Sequence, residues 1–221
     1  VQRHDLLRVD PGVWQGMLHQ RPDLADLPML GAWASRAWPV IVRRRMAGDP
    51  ADGVPVALPL PPRDGKRRLG FSFASGMGIV PVPAVRLSAA AACAPAAWQP
   101  ILAAVLAVGA ANNVVPGVFG SLLWEHLTRQ PYVSARSDID LLWHVADGRT
   151  ALSVAASLAE LETDSPVRLD GEFTLPDGGG VNWREFAQAA NGSGGGVMVK
   201  TTQGVELRPL DGLFCRVGAV A

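Results

Sequence analysis

From Leu87 to Trp124 the chain carries no charged residue. A stretch of that length without charge must be buried, either in a bilayer or in a protein core. Its own composition separates the two. Pro95, Gln99, Pro100, Asn112 and Asn113 interrupt it, and much of the remainder is alanine. Its helical part falls short of the ~20 apolar residues that a membrane span needs. The segment is therefore expected to form a core helix, not a span. That helix is predicted over about 101–111, where Ile101, Leu102, Val105, Leu106 and Val108 share one stripe and Asn112-Asn113 ends it.

The rest of the composition agrees with a packed protein. Of 221 residues, 48% are apolar and 18% charged, which excludes a disordered chain and allows one large domain or two small ones. Twenty basic residues balance twenty acidic ones, so a general nucleic-acid binder is not expected. The balance hides a split. Residues 1–110 hold 12 Lys or Arg against 7 Asp or Glu, and residues 111–221 hold 8 against 13. Only Lys66 and Lys200 are lysines. Cys93 and Cys215 make no disulfide framework and no metal-ligand spacing, and read as reduced, buried thiols. Arg3, His4 and Asp5 stand where a signal peptide would have its apolar core, so a cytoplasmic location is expected.

Two parts are predicted along the chain. Residues 1–83 read as a small, loop-rich α+β domain. Asp10 before Pro11 caps a helix over 12–19, a second short helix falls in 27–36, and strands are expected at 40–42, 54–60 and 69–73. Residues 84–221 read as a second domain. Here strands at 114–119, 138–145 and 166–175 alternate with helices at 122–128, 151–161 and 183–190, and a hairpin of 197–201 with 205–207 closes the chain. A turn is expected at 177–180, a flexible loop at 192–196, and Ser121 as the N-cap of the 122–128 helix. This alternation implies an α+β fold with a mixed sheet and helices packed on it.

Two features of the second part carry chemistry. In a strand, residues i and i+2 face one side, so Asp138 and Asp140 project together while Ile139, Leu141 and Trp143 enter the core. Two adjacent carboxylates repel unless a cation joins them. Mg2+ suits such a pair, because it takes one or two carboxylates together with phosphate oxygens. Gly120-Ser121, between a strand and a helix, presents backbone N–H groups at the positive end of a helix dipole, which suits a phosphate. An anion cradle beside metal-binding carboxylates makes a polyphosphate site.

Gly-Ser at a helix start, a spacer, and then Asp-hydrophobic-Asp-hydrophobic resembles the nucleotidyltransferase superfamily of the DNA polymerase β type. The spacer from Leu122 to Ser137 is 16 residues, longer than is usual there. A narrower resemblance absorbs the difference. Arg3-His4-Asp5-Leu6-Leu7, the Gly120 to Thr128 segment, Ser137-Asp138-Ile139-Asp140-Leu141-Leu142, Leu169-Asp170-Gly171-Glu172 and Trp183-Arg184-Glu185 together resemble the malonate decarboxylase holo-acyl-carrier-protein synthases, the phosphoribosyl-dephospho-CoA transferases.

That resemblance implies an enzyme whose donor is 2'-(5''-triphosphoribosyl)-3'-dephospho-CoA and whose acceptor is a serine of the apo acyl-carrier subunit, with release of pyrophosphate. It implies that Asp138 and Asp140 hold Mg2+ against the triphosphate. A third carboxylate is expected on a later strand. Asp170 and Glu172 are the candidates, Asp170 as a further metal ligand and Glu172 as the catalytic group. Gly120, Ser121, Ser137, Lys200, Arg3 and His4 are assigned to the substrate. Arg43-Arg44-Arg45 and Lys66-Arg67-Arg68 are further candidates for a phosphate or an acidic carrier, against a reading as solvated strand ends. His126 is expected to be packed. Two other readings stay open at this stage: a nucleotidyltransferase with a different acceptor, and a silent nucleotide-binding adaptor that keeps the fold.

Overall fold

The computed structural model describes residues 1–76, 78–192 and 195–214. The chain divides into two compact units, Val1–Ala84 and Val85–Ala221.

The first unit is built on strands β1 (Leu6–Val9), β2 (Val40–Val42), β3 (Gly53–Pro59), β4 (Arg68–Ala74) and β5 (Ile79–Val82), with helices α1 (Pro11–His19) and α2 (Pro28–Gly31). All pairings are antiparallel, in the order β4-β3-β2-β1-β5. Period-2 alternation is clear in β4, where Leu69, Phe71 and Phe73 are buried and Arg68, Gly70 and Ala74 are exposed. The buried face meets α1, with Trp14 edge-on to Phe71 at 5.3 Å and its indole N–H donating to the Leu30 carbonyl at 2.7 Å. Asp10 caps α1 as the sequence predicts, accepting from the N–H groups of Gly12 and Val13 at 2.8 and 3.2 Å.

The second unit contains α3 (Leu87–Ala90), α4 (Gln99–Ala111), β6 (Gly117–Val118), α5 (Gly120–Thr128), β7 (Ile139–His144), α6 (Gly148–Thr163), β8 (Leu169–Thr174), β9 (Gly180–Asn182), α7 (Trp183–Asn191), β10 (Gly196–Lys200) and β11 (Val205–Pro209). Its six strands run in the order β11-β10-β9-β8-β7-β6. Only β7 and β8 are parallel, joined through α6, and the other neighbours are antiparallel. The protein is thus α+β, with a mixed sheet in this unit. Ile139, Leu141, Trp143, Leu169 and Phe173 are fully buried on one face, where Phe186 of α7 meets Phe173 edge-on at 5.4 Å. Helices therefore cover that face, and the acidic residues of β7 and β8 lie on the other.

The charge-free stretch resolves into α3, short 3-10 turns, α4, β6 and the start of α5. Leu87, Ala90, Ile101, Leu102 and Val105 from it are buried, and no helix among the described residues is long and apolar enough to cross a membrane.

Four details differ from the sequence expectations. Helix α5 begins two residues early, at Gly120, with Phe119 in the cap position and no side-chain cap. Ser121 is therefore the second helical residue and not the N-cap, because the chain enters the helix through the positive φ of Gly120. The turn expected at 177–180 forms over 176–178 and leads into an unexpected short strand, β9, from Gly180. Strands β1 and β5 add to the first sheet. Cys93 is half-exposed and not buried. Cys215 and part of the 192–196 loop lie outside the described residues.

Candidate functional site

The parallel register of β7 and β8 sets Asp140 directly beside Asp170, and Leu142 beside Glu172. Residues paired across neighbouring strands point to the same face, so Asp140, Asp170 and Glu172 share one side of the sheet. Asp138, two residues ahead of Asp140, approaches along the same side. Lys200 joins them from β10: its Nζ lies 2.9 Å from Glu172 Oε1. Glu172 is only 6% exposed, so this ion pair offsets part of the cost of burying its carboxylate.

Gly120 locks the start of α5 onto this acidic row. A Cβ built there would stand 1.8 Å from Asp140 Oδ2 and 2.5 Å from its carboxyl carbon, and the residue holds φ at +63°. No other residue permits that approach. The Phe119 N–H donates to the Asp140 carbonyl at 3.0 Å, and Val118 of β6 pairs with Leu141 of β7. Strand β6, the first turn of α5 and β7 thus fix one another, and the positive end of the helix dipole abuts Asp140. Ser121 is half-buried in that first turn.

The segment between α5 and β7 is tied down at both ends. Glu125 accepts from the Tyr132 and Val133 N–H groups at 3.0 and 2.7 Å. Ser137 is buried, and its Oγ accepts from the Ser134 N–H at 3.0 Å, closing the turn that delivers Asp138. Asp138 pairs with Arg168 at 3.4 Å, with the two side chains 34% and 59% exposed. So long and solvated a pair is weak and exchanges readily for another partner.

Asp170 is held more firmly. Its Oδ1 accepts from the Gly171 N–H at 2.9 Å, from Asn182 Nδ2 at 3.1 Å and from Arg184 Nη1 at 3.4 Å. Asn182 also caps α7, accepting from the Arg184 and Glu185 N–H groups. Arg184 bridges Asp170 to Glu162 of α6 and to the Leu169 carbonyl, while its guanidinium stacks on the Trp183 ring at 4.4 Å. Arg168, Asn182 and Arg184 were not singled out as site residues from the sequence, although Arg184 stands in one of the quoted motifs. The contacts of Asn182 and Arg184 depend on how α7 docks, and that of Arg168 on how β8 lies beside β7, neither of which spacing encodes.

The remaining candidates belong to other elements. Arg3 and His4 belong to the first unit, in the turn before β1, where the His4 N–H donates to the Val42 carbonyl at 3.0 Å. Arg43 makes a bidentate pair with Asp49, both bonds at 2.7 Å, and this holds the Asp49 carboxyl down at about 2. Arg45 is spent on the Pro50 and Gly53 carbonyls. The side chains of Arg44, Lys66 and Arg68 make no hydrogen bond or ion pair among the described residues, although the Lys66 N–H donates to the Pro61 carbonyl at 3.3 Å and the Arg44 carbonyl accepts from Arg43 at 2.9 Å. His126 packs near Cys93, with Nδ1 4.0 Å from Sγ, and Arg129 donates to the same sulfur at 2.7 Å. Burial, with Arg129 nearby, lowers the His126 imidazole below its ordinary value.

Among the described residues, no three His, Cys, Asp or Glu side chains gather as a ready-made metal ligand set. What the arrangement does offer is a pair of accessible carboxylates, Asp138 and Asp140, at a glycine-opened helix start, with a lysine two strands beyond Asp170.

The known relatives span both units. The family described as "Phosphoribosyl-dephospho-CoA transferase MdcG N-terminal domain" matches residues 2–77, and the one described as "Phosphoribosyl-dephospho-CoA transferase MdcG C-terminal domain" matches residues 86–211. The phosphoribosyl-dephospho-CoA transferase of Bradyrhizobium diazoefficiens is 38% identical over 205 residues, covering 93% of this chain and 88% of the relative. Those of Xanthomonas campestris pv. campestris and Xanthomonas axonopodis pv. citri are 38% and 37% identical, each covering 85% of this chain and 86% of the relative. No solved structure matches. Similarity of this extent, running through both units and through the carboxylate face, places the chain in the phosphoribosyl-dephospho-CoA transferase family.

Proposed function

We propose that the protein transfers the phosphoribosyl-dephospho-CoA group from 2'-(5''-triphosphoribosyl)-3'-dephospho-CoA to a serine hydroxyl of the apo acyl-carrier subunit of malonate decarboxylase. The observation that carries this reading is the contact between Gly120 and Asp140, which joins a helix N-terminus to a carboxylate pair at one point of the sheet. Family membership supplies the donor and acceptor classes. The unit is read as a catalytic domain of the polymerase β nucleotidyltransferase type.

Asp138 and Asp140 fit Mg2+, which binds through one or two carboxylates and keeps its other positions for water and phosphate oxygens. Asp170 stands next in register to Asp140 and would join them only by leaving its bonds to Asn182 and Arg184. When bound, the ion supplies charge neutralisation to the triphosphate. The residues of the chain do the rest by positioning. The N–H groups at the start of α5, from Gly120 and Ser121, bind phosphate oxygens, and Ser137 sets the turn that aims Asp138 at them. Lys200 holds the Glu172 carboxylate in place and presents positive charge to the outgoing phosphates. Glu172 accepts the proton of the carrier serine as its oxygen bonds to the α-phosphorus. The bond from that phosphorus to pyrophosphate breaks in the same displacement.

The test is a mass measurement. Apo carrier, donor, Mg2+ and protein should yield a carrier heavier by one phosphoribosyl-dephospho-CoA group, and chelation of Mg2+ should stop the reaction. Asp138→Asn and Asp140→Asn should each lower the rate at least ~1,000-fold, a loss of about 4 kcal/mol of transition-state stabilisation, with the fold intact by circular dichroism. No mass increase with the unaltered protein overturns the reading, and full activity in either variant overturns the metal assignment.

A further inference from the structure

We infer that an exposed apolar strip on the β10–β11 hairpin, formed by Met198, Val205 and Leu207, seats the pantetheine arm of the donor. The inference rests on the transfer reading above and extends it to a part of the ligand that the carboxylates do not touch.

The strip belongs to the same face as the acidic row. Val197 and Val199 point into the core and are fully buried, so Met198 and Lys200 point the other way. Lys200 touches Glu172, which identifies that side as the carboxylate face. The antiparallel register pairs Met198 with Leu207 and Lys200 with Val205, so Val205 and Leu207 join it. Leu207 is 69% exposed, Met198 40% and Val205 37%. Single exposed apolar residues are ordinary on a protein surface. Here three adjoin one another, next to the lysine that ends the acidic row. Gly196 adds to the shelf: a Cβ there would stand 2.9 Å from Leu207 Cδ1, so the leucine lies down across the strand.

Size and chemistry select the occupant. Four strand spacings separate β7 from β11, or about 19 Å at roughly 4.8 Å each. The donor carries its triphosphate at one end and pantetheine at the other. The pantetheine portion alone has the backbone length of about four residues, roughly 14 Å when extended, and a pyrophosphate bridges it to the nucleoside. A donor with its triphosphate at Asp138 and Asp140 therefore reaches the strip by lying across the strands, with Lys200 on the way. The arm has a gem-dimethyl group and methylenes to cover the apolar side chains, and two amides. Strand β11 ends the sheet among the described residues, so its outer edge offers unpaired N–H and C=O groups to those amides.

The experiment is a double variant, Met198→Ser with Leu207→Ser, compared with the unaltered protein. Both residues are surface positions, and Leu152→Ser on α6, at a 44% exposed residue away from this face, serves as the control. KM for the donor should rise roughly tenfold, the scale of one lost leucine contact. The kcat and the carrier KM should stay within twofold. With triphosphoribosyl-adenosine, which lacks the arm, KM should be the same in both proteins. An unchanged donor KM, or an equal loss with the armless donor, overturns the inference. A rise in the carrier KM alone assigns the strip to carrier docking and also overturns it, as does loss of a dimer in sedimentation. Binding of dephospho-CoA against ADP separates this inference from the transfer reading. If no donor is turned over, yet dephospho-CoA binds tighter than ADP to the unaltered protein and loses that advantage in the variant, the arm site stands and the transfer reading falls. If both ligands bind alike to the unaltered protein, the arm site falls.

Discussion

A methyl group at position 120 would overlap the Asp140 carboxylate at 1.8 Å, and the backbone there holds φ at +63°. Gly120→Ala therefore forces either the helix start or the aspartate to move. We expect a stability loss of about 1–2 kcal/mol in chemical denaturation, together with a fall in transfer of at least ~100-fold. A variant that lost stability but kept its rate would show that the contact is packing alone. Asp49 makes a separate prediction at the same scale. Its bond with Arg43 lowers the folded carboxyl to about 2, from 3.8. The stabilisation is therefore present above pH 4 and is lost as pH falls from about 4 towards 2, because the unfolded chain takes up the proton first. Asp49→Asn should cost about 1 kcal/mol at pH 7, discounted for solvent screening, and only a small fraction of that at pH 2. An equal cost at both pH values would rule out the ion pair as its source.

Among the elements, those with local signals were legible in the sequence and those made by distant partners were not. Helix α1 announces itself through Asp10-Pro11, and β4 through alternation. Strand β1 is four residues whose pairing comes from β2 and β5, and β5 carries a proline that demotes it when read alone. Strand β9 is three residues long, and only its neighbours make it a strand. The site divides in the same way. Asp138 and Asp140 share a face by local period, whereas the placement of Asp170 beside Asp140 is a matter of register between strands joined through α6. Asn182 shows how an element end serves the site, since it caps α7 with its oxygen and reaches Asp170 with its nitrogen. Asn182→Ala should cost about 1–2 kcal/mol and should slow transfer. Asn182→Ser keeps the cap and loses the reach, so it should regain the stability without regaining the rate. Full recovery of both by serine would reduce Asn182 to a cap.

At the scale of the whole molecule, the neutral total conceals two opposed units. Residues 1–84 hold 11 Lys or Arg against 7 Asp or Glu, and residues 85–221 hold 9 against 13. The acidic excess falls in the unit with Asp138, Asp140, Asp170 and Glu172, where a divalent cation would offset part of it. The donor is a polyanion, so its KM should rise severalfold between 50 and 500 mM salt, where the screening length drops to about 4 Å, with kcat nearly constant. A flat salt profile would remove the arginines and lysines from donor capture. The crossover through α6 has a consequence for the order in which the protein becomes competent. Antiparallel neighbours can close through a short hairpin as soon as they are made, but β8 can pair with β7 only after the intervening helix has formed and folded back. Thirty positions separate Asp140 from Asp170. A growing chain that has just emerged past β7 can pair it with β6 but not yet with β8, so Asp140 still lacks Asp170 at its side. The carboxylate row is assembled only after α6 has crossed over, and a chain halted before residue 169 lacks both Asp170 and Glu172.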